Sequence, residues 1–304
     1  MISVVIPLYN KETTVVQAVH SVLNQTMSTL ELIVVNDSST DGSMTNLKTI
    51  KDDRMVVISI PHSGVSVARN TGINHARNQW VAFLDADDWW APEFLEEMIL
   101  AMDSFPEEFI FASGRTHVFE DHSLRYRHKL LPHEGTTDIV DYFTIISKYL
   151  PPINSSNVVI HTTLFEEIGV FNPEQNKHED HDLWLRLSVR YNAILVNKPL
   201  SFYRKVQRDK SNTRSYGASD FCQYLATLIV ISNQLAGARH QHFEKYYSKF
   251  VIFTYGTYYW GYSKTERRMV LSLCKQLLSV SNYTMITLIN WVPFNAYVIA
   301  KRLR

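Results

Sequence analysis

Trp80-Val81-Ala82-Phe83-Leu84-Asp85-Ala86-Asp87-Asp88 is a short apolar run that stops at three carboxylates within four residues. Its length and aromatic content suit a buried strand, and the carboxylates mark the exit into solvent. At an extended strand end, residues two apart point the same way, so Asp85 and Asp87 share a side. Two carboxylates beside water suit a hard divalent cation. Mg²⁺ takes only one or two protein carboxylates and completes its shell with waters and phosphate oxygens. The competing reading is a plain turn, with Asp88 near the N-terminus of a helix that Pro92 opens.

Outward from this run the pattern repeats. Ser3–Ile6 reads as a buried strand ending at Pro7, and Lys11–Asn24 carries a helical stripe of Val15, Ala18, Val19, Val22 and Leu23. Leu32–Val35 is the next strand, Asn36–Gly42 is turn chemistry, and a short helix follows. Met55–Ile60 is a strand and Gly64–Arg77 a helix with Val65, Ala68 and Gly72 on one side. After Pro92, Phe94, Leu95, Met98, Ile99 and Met102 make an amphipathic helix. This β-α-β-α-β-α-β-α order predicts an α/β fold, a mostly parallel sheet flanked by helices. Ligands of such sheets bind beyond the carboxyl ends of the strands. Tyr9-Asn10, Asp37 to Asp41 and Asp85 to Asp88 all fall there.

Further on, Asn157–Ile160, Ala193–Val196 and Leu200–Tyr203 read as strands and Glu179–Tyr191 as a helix. Lys205 to Gly217 is polar, as in a loop or linker. From Ala218 the chain is helical and rich in aromatics. The expected organisation is an α/β domain over 1–215, with a first part over 1–105 and a second over 106–215, and a helical region over 216–304.

Thirty basic and thirty acidic side chains cancel in the 304 residues, so no basic field recruits nucleic acid. Cys222 and Cys274 lie in apolar surroundings and suit a reducing compartment. Met1 runs directly into an apolar strand without a basic leader, and a cytoplasmic location is expected. The stretch between Lys275 and Lys301 has no charge but many polar residues. It reads as a packed helix, a dimer contact or a membrane-surface segment ending in Lys301-Arg302-Leu303-Arg304, rather than a span.

Four ordered segments together closely resemble the family 2 glycosyltransferases. They are Val4-Val-Ile-Pro-Leu-Tyr-Asn-Lys-Glu12, Glu31-Leu-Ile-Val-Val-Asn-Asp-Ser-Ser-Thr-Asp-Gly42, Gly64-Val-Ser-Val-Ala-Arg-Asn-Thr-Gly72 and Phe83-Leu-Asp-Ala-Asp-Asp88. A fifth, Glu179-Asp-His-Asp-Leu-Trp-Leu-Arg186, resembles that family's Glu-Asp segment. The likeness covers residues 1 to about 205 and implies that 1–215 is the catalytic domain, with 1–105 its nucleotide-sugar part and 106–215 its acceptor part. It implies a glycosyltransferase A-type fold, a UDP-sugar donor, Mn²⁺ or Mg²⁺, and inversion at the anomeric carbon. The implied acceptor is a glycan or a lipid-linked glycan in bacterial surface polysaccharide synthesis.

The resemblance also implies roles. Pro7 and Tyr9 bracket the uracil, Glu12 lies on the nucleotide side, and Asp37 accepts a hydrogen bond from the base. Arg69 lies near base and phosphates, Asp85 on the ribose side with Ala86 beside it, and Asp87 is the metal ligand. Asp180 is the general base, while Glu179, His178 and His181 are candidates for the acceptor side. Asn36 and Ser38 depart from the family's Asp-Asp-Gly-Ser turn, where glycine is the commoner residue at the place of Ser38. The Gln-x-x-Arg-Trp of processive synthases is missing, so a single-addition enzyme is expected. A nucleotidyltransferase would show a Gly-rich basic loop where Leu8-Tyr9-Asn10-Lys11-Glu12 stands. An inactive carbohydrate-binding homologue would have no need of both Asp87 and Asp180.

Overall fold

The computed structural model describes residues 1–205 and 216–290. The linker expected over Lys205–Gly217 and the end of the tail, 291–304, lie largely or wholly outside the described residues. Two compact units are present, Met1–Ile145 with Tyr149–Gln207, and Ile146–Lys148 with Arg208–Arg304.

The first unit opens β1 (Ile2–Leu8), α1 (Val15–Leu23), β2 (Leu30–Asn36), α2 (Ser43–Leu47), β3 (Met55–Ser59), α3 (Val65–His75) and β4 (Trp80–Phe83). It continues β5 (Trp89–Trp90), α4 (Phe94–Ser104), β6 (Ile110–Val118), β7 (Ser123–Arg125), β8 (Thr137–Val140) and α5 (Tyr142–Ile146). It closes β9 (Val158–His161), α6 (Thr163–Glu167), α7 (Glu179–Ser188) and β10 (Ala193–Arg204). Among the described residues the strands form one sheet in the order β3-β2-β1-β4-β9-β6-β10-β5, with β7 on β6 and β8 on β10.

β1, β2, β3 and β4 pair in parallel, as their alternation with helices predicts. β9 then enters antiparallel between β4 and β6, and β5, β7 and β8 are antiparallel too, so the sheet as a whole is mixed. The runs read as two strands, Ala193–Val196 and Leu200–Tyr203, are one strand. β10 stays paired with β6 through register shifts on either side of Pro199. Gly114 of β6 lets that irregular backbone pass: a Cβ there would lie 2.6 Å from the Lys198 carbonyl oxygen.

Helices cover both faces. Val4, Ile6 and Leu8 pack with Val15, Ala18, Val19 and Val22 of α1 and with Phe94, Leu95 and Met98 of α4. The alternate residues Ile33 and Val35 meet Ala68 of α3 on the other face. Gly72 of α3 lies so close to β1 that a Cβ would meet Val5 Cγ1 at 2.2 Å. Chain order reverses between β1 and β4, the crevice where open α/β sheets bind ligands.

The second unit is helical over its described residues: α8 (Ala218–Gln234), α9 (Gly237–Tyr258), a 3-10 turn (Tyr259–Gly261), α10 (Lys264–Leu277) and α11 (Val280–Ile289). Phe221, Tyr224, Phe243, Tyr255 and Tyr259 are fully buried there. Ser263 and Glu266 form a reciprocal capping box at α10. No helix among the described residues is long and apolar enough to cross a membrane.

Candidate active site

The apolar run that ends β4 leads into a tight turn. Leu84 N–H donates to the Val5 carbonyl, and Asp88 N–H donates back to the Asp85 carbonyl at 3.0 Å. Two neighbours brace the turn. Ser156 Oγ accepts from Asp85 N–H and donates to Asp88 Oδ2. The end of β10 brings Arg204, whose N–H donates to Asp88 Oδ1 and whose Nε donates to the Asp87 carbonyl. Asp88 is thus buried and structural. Burial, then repulsion from Asp85, pushes its carboxyl well above the ordinary aspartate value. Ala86 is buried, while Asp85 and Asp87 stay part-exposed.

Those two carboxylates face a cavity of about 380 Å³ at the ends of β1, β2 and β4. Pro7, Tyr9, Lys11, Asp37, His62, Arg69, Ala86 and Glu179 also line it. The fold therefore gathers Pro7, Tyr9, Asp37, Arg69, Asp85, Ala86 and Asp87 in one place from four separate stretches of chain. Lys11 Nζ donates to Asp87 Oδ2 at 2.5 Å. Asp37 is buried, and its carboxylate accepts from Ser63 N–H at 2.6 Å and Gly64 N–H at 2.9 Å, fixing the loop before α3. Glu12 is exposed and turned away. Its carboxylate accepts from Gly42 N–H at 2.8 Å beside α2, and it does not line the cavity. Asp41 takes the turn role, accepting from the N–H groups of Glu12 and Ser43.

A second cavity of about 290 Å³ adjoins the first and shares Arg69, Asp85 and Glu179 with it. Asp180, His181, Arg115, His117, Asn154, Tyr203 and Lys205 are among the other residues of its wall. Arg69 is 3% exposed and spans the divide: one guanidinium nitrogen donates to Asp85 at 2.8 Å and the other to Glu179 at 3.0 Å. Its Nε is buried with no partner among the described residues, and its guanidinium lies 5.1 Å from the Phe171 ring. Burial alone would lower the pKa of this arginine. The facing Asp85 and Glu179 reverse that and raise its pKa above the ordinary value.

Glu179 and Asp180 begin α7, where the helix dipole favours anions. Burial and the Asp180 charge raise the Glu179 carboxyl, against the pull of Arg69. For Asp180 burial works upward too. The charges of His181 and Arg69, the His181 N–H that donates at 2.8 Å, and His178 outweigh it, so its pKa is lowered. Asp182 turns away, buried against Arg186 at 2.7 Å. His178 precedes the pair in left-handed backbone at φ 61°. Burial, then His181, depresses its pKa to about 4.

Lys11, His62, Arg115 and His117 are among the lining residues that carried no role in the sequence reading. Lys11 stands inside a quoted motif, but its ion pair joins residues 76 apart in sequence. His62 is two residues before Gly64. Arg115 and His117 stand in the mixed second half of β6, beside Ser113, Gly114 and Thr116, where no local pattern marks Arg115 as buried. Arg115 is buried, donates to the Pro151 and Pro152 carbonyls, and lies over the Tyr126 ring at 4.0 Å. Among the described residues no group of three or more His, Cys, Asp or Glu side chains is gathered for a metal ion.

The profile described as Glycosyl transferase family 2 matches residues 3–165. The chain is 29% identical over 209 residues, 67% of its length and 77% of the relative's, to the Escherichia coli UDP-Glc:alpha-D-GlcNAc-diphosphoundecaprenol beta-1,3-glucosyltransferase WfaP. It is 30% identical over 219 residues, 70% of its length and 82% of the relative's, to the putative teichuronic acid biosynthesis glycosyltransferase TuaG of Bacillus subtilis (strain 168). The crystal structure of S. aureus TarS 1-349 in complex with UDP-GlcNAc superposes with a TM-score of 0.65 at 16% identity, covering 91% of this chain and 81% of that one.

Proposed function

The chain belongs to glycosyl transferase family 2, and from that premise we propose that it transfers a sugar with inversion from a UDP-sugar to a hydroxyl of a glycan or lipid-linked glycan. Bacterial surface polysaccharide synthesis is the setting its relatives suggest. The observation that carries this reading is the pair of adjoining cavities bridged by Arg69. The first suits a donor and the second an acceptor, with a carboxylate pair at their shared wall.

In the first cavity Tyr9 stands part-exposed at a strand end with His62 stacked on its ring, and the carboxylate of Asp37 lies beside them. Asp87 fits a hard divalent cation. It faces the cavity, already draws an ammonium to 2.5 Å, and its charge helps raise the pKa of Asp85. Mn²⁺ or Mg²⁺ bound there would neutralise charge building on the departing diphosphate. In the second cavity Asp180 takes the proton of the acceptor hydroxyl as its oxygen attacks the anomeric carbon. Its lowered pKa keeps it ionised for that task. A single displacement needs one base and no covalent nucleophile. Arg69 holds Asp85 and Glu179 in place and keeps their charges from driving each other apart.

The test is thermal unfolding with a panel of nucleotide sugars, with and without Mn²⁺ or Mg²⁺. A ligand at one hundred times its Kd stabilises by about 2.7 kcal/mol, which raises the Tm by roughly 5 °C or more. A UDP-sugar that does this only with the metal is the expected result. No shift by any nucleotide sugar, or an equal shift in EDTA, sinks the reading.

A further inference from the structure

We propose that the His62 imidazole occupies the nucleobase's place in the donor cavity, and that a donor binds only by turning it out. This rests on the reading of that cavity as a nucleotide site. The His62 ring stacks on Tyr9 with centroids 4.4 Å apart and planes 29° from parallel. Its Nδ1 lies 3.0 Å from Asp37 Oδ2 and 3.2 Å from the Asp37 carbonyl oxygen. A planar heterocycle lying on an aromatic face with an N–H turned to a carboxylate makes the two contacts a pyrimidine base would make.

The geometry makes the two occupants exclusive. A second ring between Tyr9 and His62 would need about 7 Å between the planes that flank it. A base on Tyr9 that also reaches Asp37 takes both partners of His62 at once. The exchange itself is cheap. His62 is 58% exposed and its ring can rotate outward. Its backbone stays where it is, because Asp37 holds the following Ser63 and Gly64 N–H groups. The imidazole therefore acts as an internal competitor that lowers donor affinity by the fraction of time it spends stacked.

UDP with Mg²⁺ is the probe, titrated by calorimetry into the full-length wild type and His62→Ala. The wild type is also followed by the imidazole proton signals of His62 in NMR. His62→Ala should tighten UDP binding by roughly three- to tenfold, as a competitor stacked most of the time requires. In the wild type, saturating UDP should move the His62 signals away from the ring-current position set by Tyr9. Weaker or unchanged UDP binding by His62→Ala overturns the proposal, as does a His62 signal that stays put under bound UDP. Those results leave the donor reading intact. A wild type that binds no uridine nucleotide at all removes the donor reading, and this inference with it.

Discussion

Ser38 holds a left-handed backbone at φ 57°, and so do Asn10 at 50° and His178 at 61°. Asn tolerates this region, but serine lacks its aptitude, and a side chain there costs about 1–2 kcal/mol. Ser38 recovers part of that through a hydroxyl that donates to the Ile60 carbonyl at 2.8 Å. Ser38→Gly should therefore raise the Tm, by roughly 1–3 °C on the usual scale for a unit of this size. A fall in thermal melts would mean that the hydroxyl bond outweighs the strain. Asp180→Asn is expected to fold and bind donor normally while turnover drops on the order of 10²-fold or more, the loss typical of a missing general base. Glu179→Gln should cost turnover less. The pH profile separates the two carboxylates. Asp180 is held below its ordinary 3.8, so its base form survives as pH falls and is lost only below that value. Glu179 is held above its ordinary 4.5, so an acid limb on that side would assign the base to Glu179. The candidate residues were legible in sequence because each sits at a strand or helix end: Tyr9 after β1, Asp37 after β2, Asp85 after β4, Asp180 at the start of α7. Glu12 shares a motif with Tyr9 yet turns to Gly42, since position in a loop does not fix direction. His62 and Arg115 act through contacts distant in sequence, which no local pattern carries.

Among elements, α3 shows how closely a helix can seat on a sheet. Gly72→Ala would drive a methyl into Val5, with α3 and β1 both held in place. The expected cost is about 1–3 kcal/mol, as in overpacked cores, read as a lower urea midpoint with unchanged m. A neutral result would mean that α3 can lift away from β1. Asp88 ties the turn after β4 to the end of β10. Burial raises its pKa in the folded state, so its contribution to stability is full below the unfolded pKa and declines as pH rises through the folded one. Asp88→Asn keeps polar contacts to Ser156 and Arg204 without having to ionise. Its stability relative to wild type should grow as pH rises above the ordinary aspartate value of 3.8, followed in urea unfolding. A difference independent of pH would show that Asp88 does not titrate there. The strands and helices of the first hundred residues were legible because apolar period and turn residues agree. The antiparallel insertion of β9 was not, since Asn157–Ile160 reads as a strand without a direction. The join of β10 across Pro199 was hidden as well, because proline normally interrupts a ladder and here sits between register shifts.

For the molecule as a whole, balanced charge leaves local surfaces to decide where it resides. α11 exposes Val280, Met285 and Leu288. The sequence beyond it carries Trp291, Val292 and Phe294, then Lys301-Arg302-Leu303-Arg304. The membrane-surface reading of this segment, as against a packed helix or a dimer contact, predicts that the full chain floats with vesicles containing phosphatidylglycerol and much less with neutral ones. Reversing Lys301, Arg302 and Arg304 to Glu should abolish flotation. Equal flotation after reversal, or none at all, removes the contact. The buried Arg69 has a consequence for protein engineering. Its carboxylate partners come from segments nearly a hundred residues apart, Asp85 on the proposed donor side and Glu179 on the proposed acceptor side. Losing either partner strips a buried cation of half its compensation, and losing Arg69 leaves two carboxylates facing each other. Chimaeras that graft a foreign acceptor segment onto this donor half will therefore work only when the graft brings its own glutamate to the place of Glu179, whatever sugar specificity the graft was chosen to import.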